Sequence, residues 1–145
     1  MYLKTLALLL VSHFLGDIVF TSYKLAIYKR NHQLNRQILG IGCHSMVHSF
    51  FAGLLLFISG GPWLKAALLV FALHFLIDMT RCRVEISRYG ADRLYVKRSE
   101  LFAWISGNSK NPDKMNLKRL WPWLLIHLVD QSAHLGSLCA ITLAV

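Results

Sequence analysis

Four pairs of side chains suited to metal binding or acid–base work stand four positions apart: His13 and Asp17, His44 and His48, His74 and Asp78, and Asp130 and His134. Each pair interrupts a stretch made largely of Leu, Val, Ile, Phe and Ala. On an α-helix, residues four apart lie one turn above the other on the same face. Each stretch would therefore be an apolar helix with one two-pronged polar face. Imidazole nitrogens and carboxylate oxygens are borderline ligands that suit zinc, manganese or iron. The eight side chains of the four pairs are too many for one tetrahedral ion and about right for two. Helix bundles hold such dinuclear sites with ligands from facing helices. The expected cofactor is a divalent metal as two ions, zinc first, with manganese or iron as alternatives.

His127 lies three residues before Asp130 and seven before His134, hence on the same helical face. Asp130, where not fully committed to metal, and His127 are the candidates to move a proton in catalysis. Gln131 and Ser45 are placed to orient ligands by hydrogen bonds.

The elements that must position these residues are membrane spans. The chain has 145 residues, 55% of them apolar, and a mean hydropathy of +0.46. One domain over residues 1–145 is the natural count. A span needs about 20 mostly apolar residues, and four stretches approach that, at roughly 2–23, 38–58, 62–80 and 120–145. None has the charged outer face that a helix of a soluble bundle requires. The fold class is all-α: a four-helix transmembrane bundle, with a long cytoplasmic loop carrying amphipathic helix between helices three and four. The first segment lacks a small-residue cleavage site and carries His13 and Asp17, so it reads as a span and not as a signal peptide. Ser12 and Gly16, Ser49 and Gly53, and Ser132 and Gly136 form small-residue pairs that would let helices approach closely.

Fourteen of the sixteen Lys and Arg residues fall in two connections, residues 24–37 and 81–119, with Lys4 and Lys65 opposite them. That asymmetry predicts a multi-pass protein of the inner (cytoplasmic) membrane with both loops in the cytoplasm and both termini outside. The formal charge of +9 then follows from topology and does not call for nucleic acid. The expected partners are membrane lipids, with a homo-oligomer left open. In the longer loop, residues 106–113 read as an exposed turn. Arg81, Arg83, Lys118 and Arg119 lie where they could meet a phosphate headgroup, although anchoring by the positive-inside rule is the simpler role for them. Cys43, Cys82 and Cys139 show no paired spacing, which argues against a disulfide framework.

Charge adds to the case for metal. The predicted spans hold Asp17, Asp78 and Asp130 but no Lys or Arg in their interiors. An ionised Asp at mid-span costs on the order of 3 kcal/mol even on the lenient insertion scale. Protons, protonated histidines or a bound cation must offset three of them. With six histidines in the same segments, a cation is the economical answer.

With these residues assembled, the chain resembles a domain-of-unknown-function family of small four-helix membrane proteins of bacteria and phages. The matching pieces are His13-Phe-Leu-Gly16-Asp17, His44-Ser-Met-Val-His48, His74-Phe-Leu-Ile-Asp78 and Asp130-Gln131-Ser-Ala-His134, which touch all four helices. The pattern is also distantly similar to inner-membrane metal-dependent hydrolases. That resemblance bears on the fold and the site. The leading functional expectation, a metal-dependent hydrolase of a lipid or phosphoester at the cytoplasmic leaflet with the four pairs as ligands, comes from the metal chemistry and from an intramembrane site meeting acyl chains before aqueous solutes. The alternatives from other classes are a metal-ion or proton transporter or sensor, a di-iron membrane oxidoreductase, and a non-catalytic membrane factor that uses the pairs as polar glue.

Overall fold

The computed structural model describes residues 2–20, 22–89, 106 and 117–145. Helix α1 (Tyr2–Phe14) runs straight into a π-helical turn, Leu15–Val19. A short α2 (Tyr23–Lys29) follows, then α3 (Leu34–Ile58), α4 (Trp63–Tyr89) and α5 (Leu117–Ala144). No strand occurs among the described residues. Four segments are long and apolar enough to cross a membrane: Tyr2–Val19, Leu34–Ile58, Trp63–Arg88 and Trp121–Ala144.

The distribution of residues is that of a protein whose solvent is lipid. Large apolar side chains such as Leu10, Phe14, Phe50, Phe57, Leu68, Leu128 and Leu143 are exposed, while His44, His48, His74, Asp78, Asp130 and His134 are buried. In water that arrangement would be inverted. In a bilayer, polar groups turn inward to find one another. The interior has two layers. One is apolar and draws Leu9 from α1, Ala52 and Leu56 from α3, Ala66 and Val70 from α4, and Leu138 and Ile141 from α5. The second, one to two turns along each helix, is the layer of His and Asp.

Tight connections keep the helices in register. Between α3 and α4, Gly60 adopts φ +73°, with Gly60 N–H donating to Phe57 O at 3.0 Å and Gly61 N–H to Leu56 O at 2.8 Å. This is a Schellman stop, which only glycine enters cheaply.

Three boundaries differ from the sequence expectation. Residues 24–37 are not simply a loop. Ser22 Oγ accepts from Leu25 N–H at 3.2 Å and starts α2, and Asn31 Oδ1 accepts from Gln33 N–H at 2.8 Å just before α3 begins at Leu34. The basic residues here disguised helical turns as a solvated connection. The third span does not stop near residue 80 but continues as α4 to Tyr89, because no Gly or Pro intervenes and Arg81 and Glu85 pair one turn apart at 3.3 Å. The start of the predicted 81–119 loop is therefore the end of α4. The expected amphipathic helix and most of the 106–113 turn lie outside the described residues, and Ser106 is exposed in a turn. The last helix begins at Leu117, slightly ahead of the span expected from about residue 120.

Candidate metal centre

The π-helical turn brings Asp17 to the site. Phe20 N–H donates to Leu15 O, five residues back, at 3.0 Å. Such turns widen a helix locally and recur at functional sites. Gly16 lies in this turn with its α-carbon against the His48 ring, and a Cβ there would run into all three of the nearest ring atoms. The absent side chain lets α1 and α3 close around the imidazole. This is the close approach expected of the Ser12–Gly16 pair.

The centre of the cluster is a triangle. Asp17 Oδ1 is 3.1 Å from His44 Nε2 and 3.3 Å from His48 Nε2, and the two nitrogens are 3.2 Å apart. A tetrahedral ion with bonds of about 2.0–2.1 Å sets its ligand atoms roughly 3.3 Å from one another. The triangle thus has the edge lengths of one tetrahedral face. His74 completes the group: its ring stacks on His48 with centroids 3.8 Å apart and lies 5.0 Å from His44. Asp17, His44, His48 and His74 each offer one ligand atom, all within 4.8 Å of one another. His74, Asp78 and His134 form a second such group, sharing His74 with the first.

Hydrogen bonds set how these ligands present themselves. A backbone carbonyl only accepts, so His134 Nδ1–H donates to Asp130 O at 2.9 Å. In the neutral ring Nε2 is then left with its lone pair. That Nε2 is buried and has no hydrogen-bond partner among the described residues, and the same is true of His74 Nε2. A buried lone pair of this kind, on a ring fixed from the other side as that of His134 is, is what a metal ion would use. His13 Nε2–H donates to Gln131 Oε1 at 3.3 Å and lies 3.4 Å from Asp17 Oδ2. Gln131 Nε2 in turn donates to Asp17 Oδ2 at 3.3 Å and to Asp130 Oδ2 at 3.2 Å. Gln131 therefore has the orienting position expected of it. Ser45 does not: its Oγ is buried without a partner among the described residues.

The cations of the site were not foreseen. Asp78 and Asp130, expected to find countercharge in protons, protonated histidines or a bound ion, find it in Lys and Arg side chains from outside the predicted spans. Lys29 Nζ, at the end of α2, is in ionic contact with Asp78 Oδ2 at 2.6 Å. Arg81 Nη1 donates to Asp130 Oδ2 at 2.9 Å. Arg30 reaches Glu85 through Nε at 2.7 Å and Nη2 at 3.4 Å, and Arg81 Nε lies 3.3 Å from Glu85 Oε1. Lys29, Arg30 and Glu85 are buried and the Arg81 side chain is 11% exposed, so Lys29 and Arg81 are members of the polar layer and not merely surface anchors. Arg83, by contrast, is exposed as expected, and the side chains of Lys118 and Arg119 lie outside the described residues.

Of the sequence-predicted ligands, the structure brings Asp17, His44, His48, His74, Asp78 and His134 into the two candidate groups. His13 lies on their border, with ring centroids 5.0 Å from His48 and 5.1 Å from His134. Asp130 belongs to neither group and is turned to Arg81 and Gln131. His127 is exposed and stacks on Trp123 at 5.1 Å, away from the cluster.

Fold and site define a four-span, all-helical membrane protein with a buried centre of histidine and aspartate. A family model described as a protein of unknown function (DUF3307) matches residues 5–145, and the chain belongs to that family. No curated protein and no solved structure matches it.

Proposed function

We propose that the chain is a metal-dependent hydrolase whose substrate is a membrane lipid carrying an ester or phosphoester. The observation that carries this reading is the near-equilateral triangle of His44 Nε2, His48 Nε2 and Asp17 Oδ1, capped by His74. A divalent ion there would act as a Lewis acid and make a bound water more acidic. Around it, Gln131 fixes the carboxylate of Asp17, and the backbone of Asp130 fixes the tautomer of His134. Asp130, with Oδ1 buried and unpartnered among the described residues, is the group left to accept a proton.

The lipid assignment is supported by a groove of about 470 Å³ between α4 and α5. Its walls include Leu76, Ile77, Leu125, Val129 and Ala133, and its charged residues are Arg81 and Asp130. An apolar slot in a membrane-spanning face, with a guanidinium on its wall, suits an acyl chain with a phosphate at its head. The basic loops support an orientation with the α2 end of the bundle, and so the site, toward the cytoplasm of an inner membrane, and with both termini outside.

Metal analysis of detergent-purified protein, followed by turnover of phospholipid or a chromogenic phosphodiester, tests the proposal. The expected result is bound zinc, manganese or iron and a turnover that Asp17→Asn and His44→Ala abolish in folded protein. Metal flux into liposomes without turnover would replace hydrolase by transporter. Absence of metal from protein never exposed to chelator would reduce the cluster to polar glue between helices.

A further inference from the structure

We infer that the centre takes a single divalent ion, and that the ammonium of Lys29 stands where a second ion would otherwise sit. The inference rests on the metal reading above and narrows it from two ions to one. Asp78 is the only carboxylate of the second candidate group, and its Oδ2 is already in contact with Lys29 Nζ at 2.6 Å. The same oxygen is 3.7 Å from His74 Nε2 and 3.8 Å from His44 Nε2, so the ammonium is tied to the oxygen that links the two groups. An ion bound to Oδ2 at about 2.0–2.2 Å would have to share that oxygen with a fixed positive charge. The groups also compete for His74, since a neutral imidazole has one ring lone pair to give.

Lys29 is built into this place. Gln37 Nε2 donates to Lys29 O at 3.3 Å. Gly40 leaves α2 room against α3, since a Cβ at that position would fall 2.8 Å from Lys29 N. Next to it, Arg30 is held by Glu85. The charges agree with this arrangement. Lys29, Arg30 and Arg81 cancel Asp78, Glu85 and Asp130, so this part of the polar layer is neutral with no metal bound. In two-metal hydrolases the pair of ions clamps the attacking and leaving oxygens. Here the second of those charges would come from a side chain that chelators cannot remove.

Manganese provides the test, because an isolated Mn(II) and a spin-coupled pair have different electron paramagnetic resonance spectra. Full-length protein in micelles is titrated with Mn(II), and bound metal is counted. Wild type is expected to bind one ion per chain and to give the isolated-ion spectrum even with metal in excess. Lys29→Met, which keeps the aliphatic stem, is expected to take up a second ion at Asp78 and give a coupled spectrum, whereas Lys29→Arg stays at one. A second substitution, Asp78→Asn on Lys29→Met, removes the carboxylate that Lys29 had neutralised at Oδ2 and should return the count to one in case the single variant folds poorly. Two ions in wild type, or a Lys29→Met protein with wild-type count and spectrum, would overturn the inference while leaving the metal centre intact. No ion in wild type would overturn the metal reading itself.

Discussion

Arg81 Nη1 lies 2.9 Å from Asp130 Oδ2 and ties α4 to α5 at the edge of the histidine cluster. Both groups are largely withdrawn from solvent, and the loss is unequal: without Arg81, Asp130 keeps only the Gln131 amide, whereas without Asp130, Arg81 still has Glu85 at 3.3 Å. The expected cost of Arg81→Met alone is about 3–5 kcal/mol, and that of Asp130→Asn is smaller because Glu85 still pairs the guanidinium. The double variant should be markedly less destabilised than the sum of the two, because no buried charge is orphaned between these positions. Reversible unfolding in mixed micelles measures all three. Additive costs would show that the contact carries no coupling.

Why Asp130 was legible and Arg81 was not is a matter of where burial originates. A polar residue inside an apolar run is conspicuous, and four-residue spacing is enough to place two such residues on one face. The pairs on α1, α3, α4 and α5 could therefore be read without a structure, as could the four spans. Lys29, Arg30 and Arg81 stand in basic stretches that obey the positive-inside rule, and nothing local separates a buried cation from a solvated one there. Their burial depends on tertiary relationships: α2 folding back on α3 at Gly40, and Glu85 waiting on α4 for Arg30. His127 fails for the opposite reason. It has the right face but the wrong level, about 10 Å along the helix axis from His134.

That difference in level makes His127 a built-in control. His74 contributes to both candidate ligand groups, whereas His127 contributes to neither and rests on Trp123. His74→Ala should lower metal affinity by at least tenfold, and His127→Ala should leave it within about twofold. Competition with a chromogenic chelator reads both. Equal losses would return His127 to the centre.

Gly16 offers a test of packing as distinct from ligation. Alanine at this position would overlap the His48 ring, so either the ring turns or α1 moves away from α3. Overpacking of this kind costs typically about 1–3 kcal/mol. Metal affinity should fall along with stability, since His48 can no longer reach its place beside Asp17. At Gly42 and Gly136 an added Cβ meets nothing, and alanine there should be neutral or slightly stabilising through its better helix propensity. Comparison of the three variants by thermal unfolding and metal titration separates a specific clash from a general intolerance of alanine in these helices.

Orientation is testable without knowledge of the substrate. Four spans place both ends of the chain on one side, and the basic loops should hold the α2 end in the cytoplasm. Alkaline phosphatase fused after Val145 should then be active, and a fluorescent protein at the same point dark. Insertion of the same reporters near Ser106, exposed in the connection between α4 and α5, should give the reverse pattern. Adding Lys or Arg to the Gly60–Pro62 turn ought to weaken the preference, because the bias is set by basic residues in short loops and not by net charge. If the reporters place Ser106 outside, the site opens to the opposite leaflet, and the lipid it meets must be sought there.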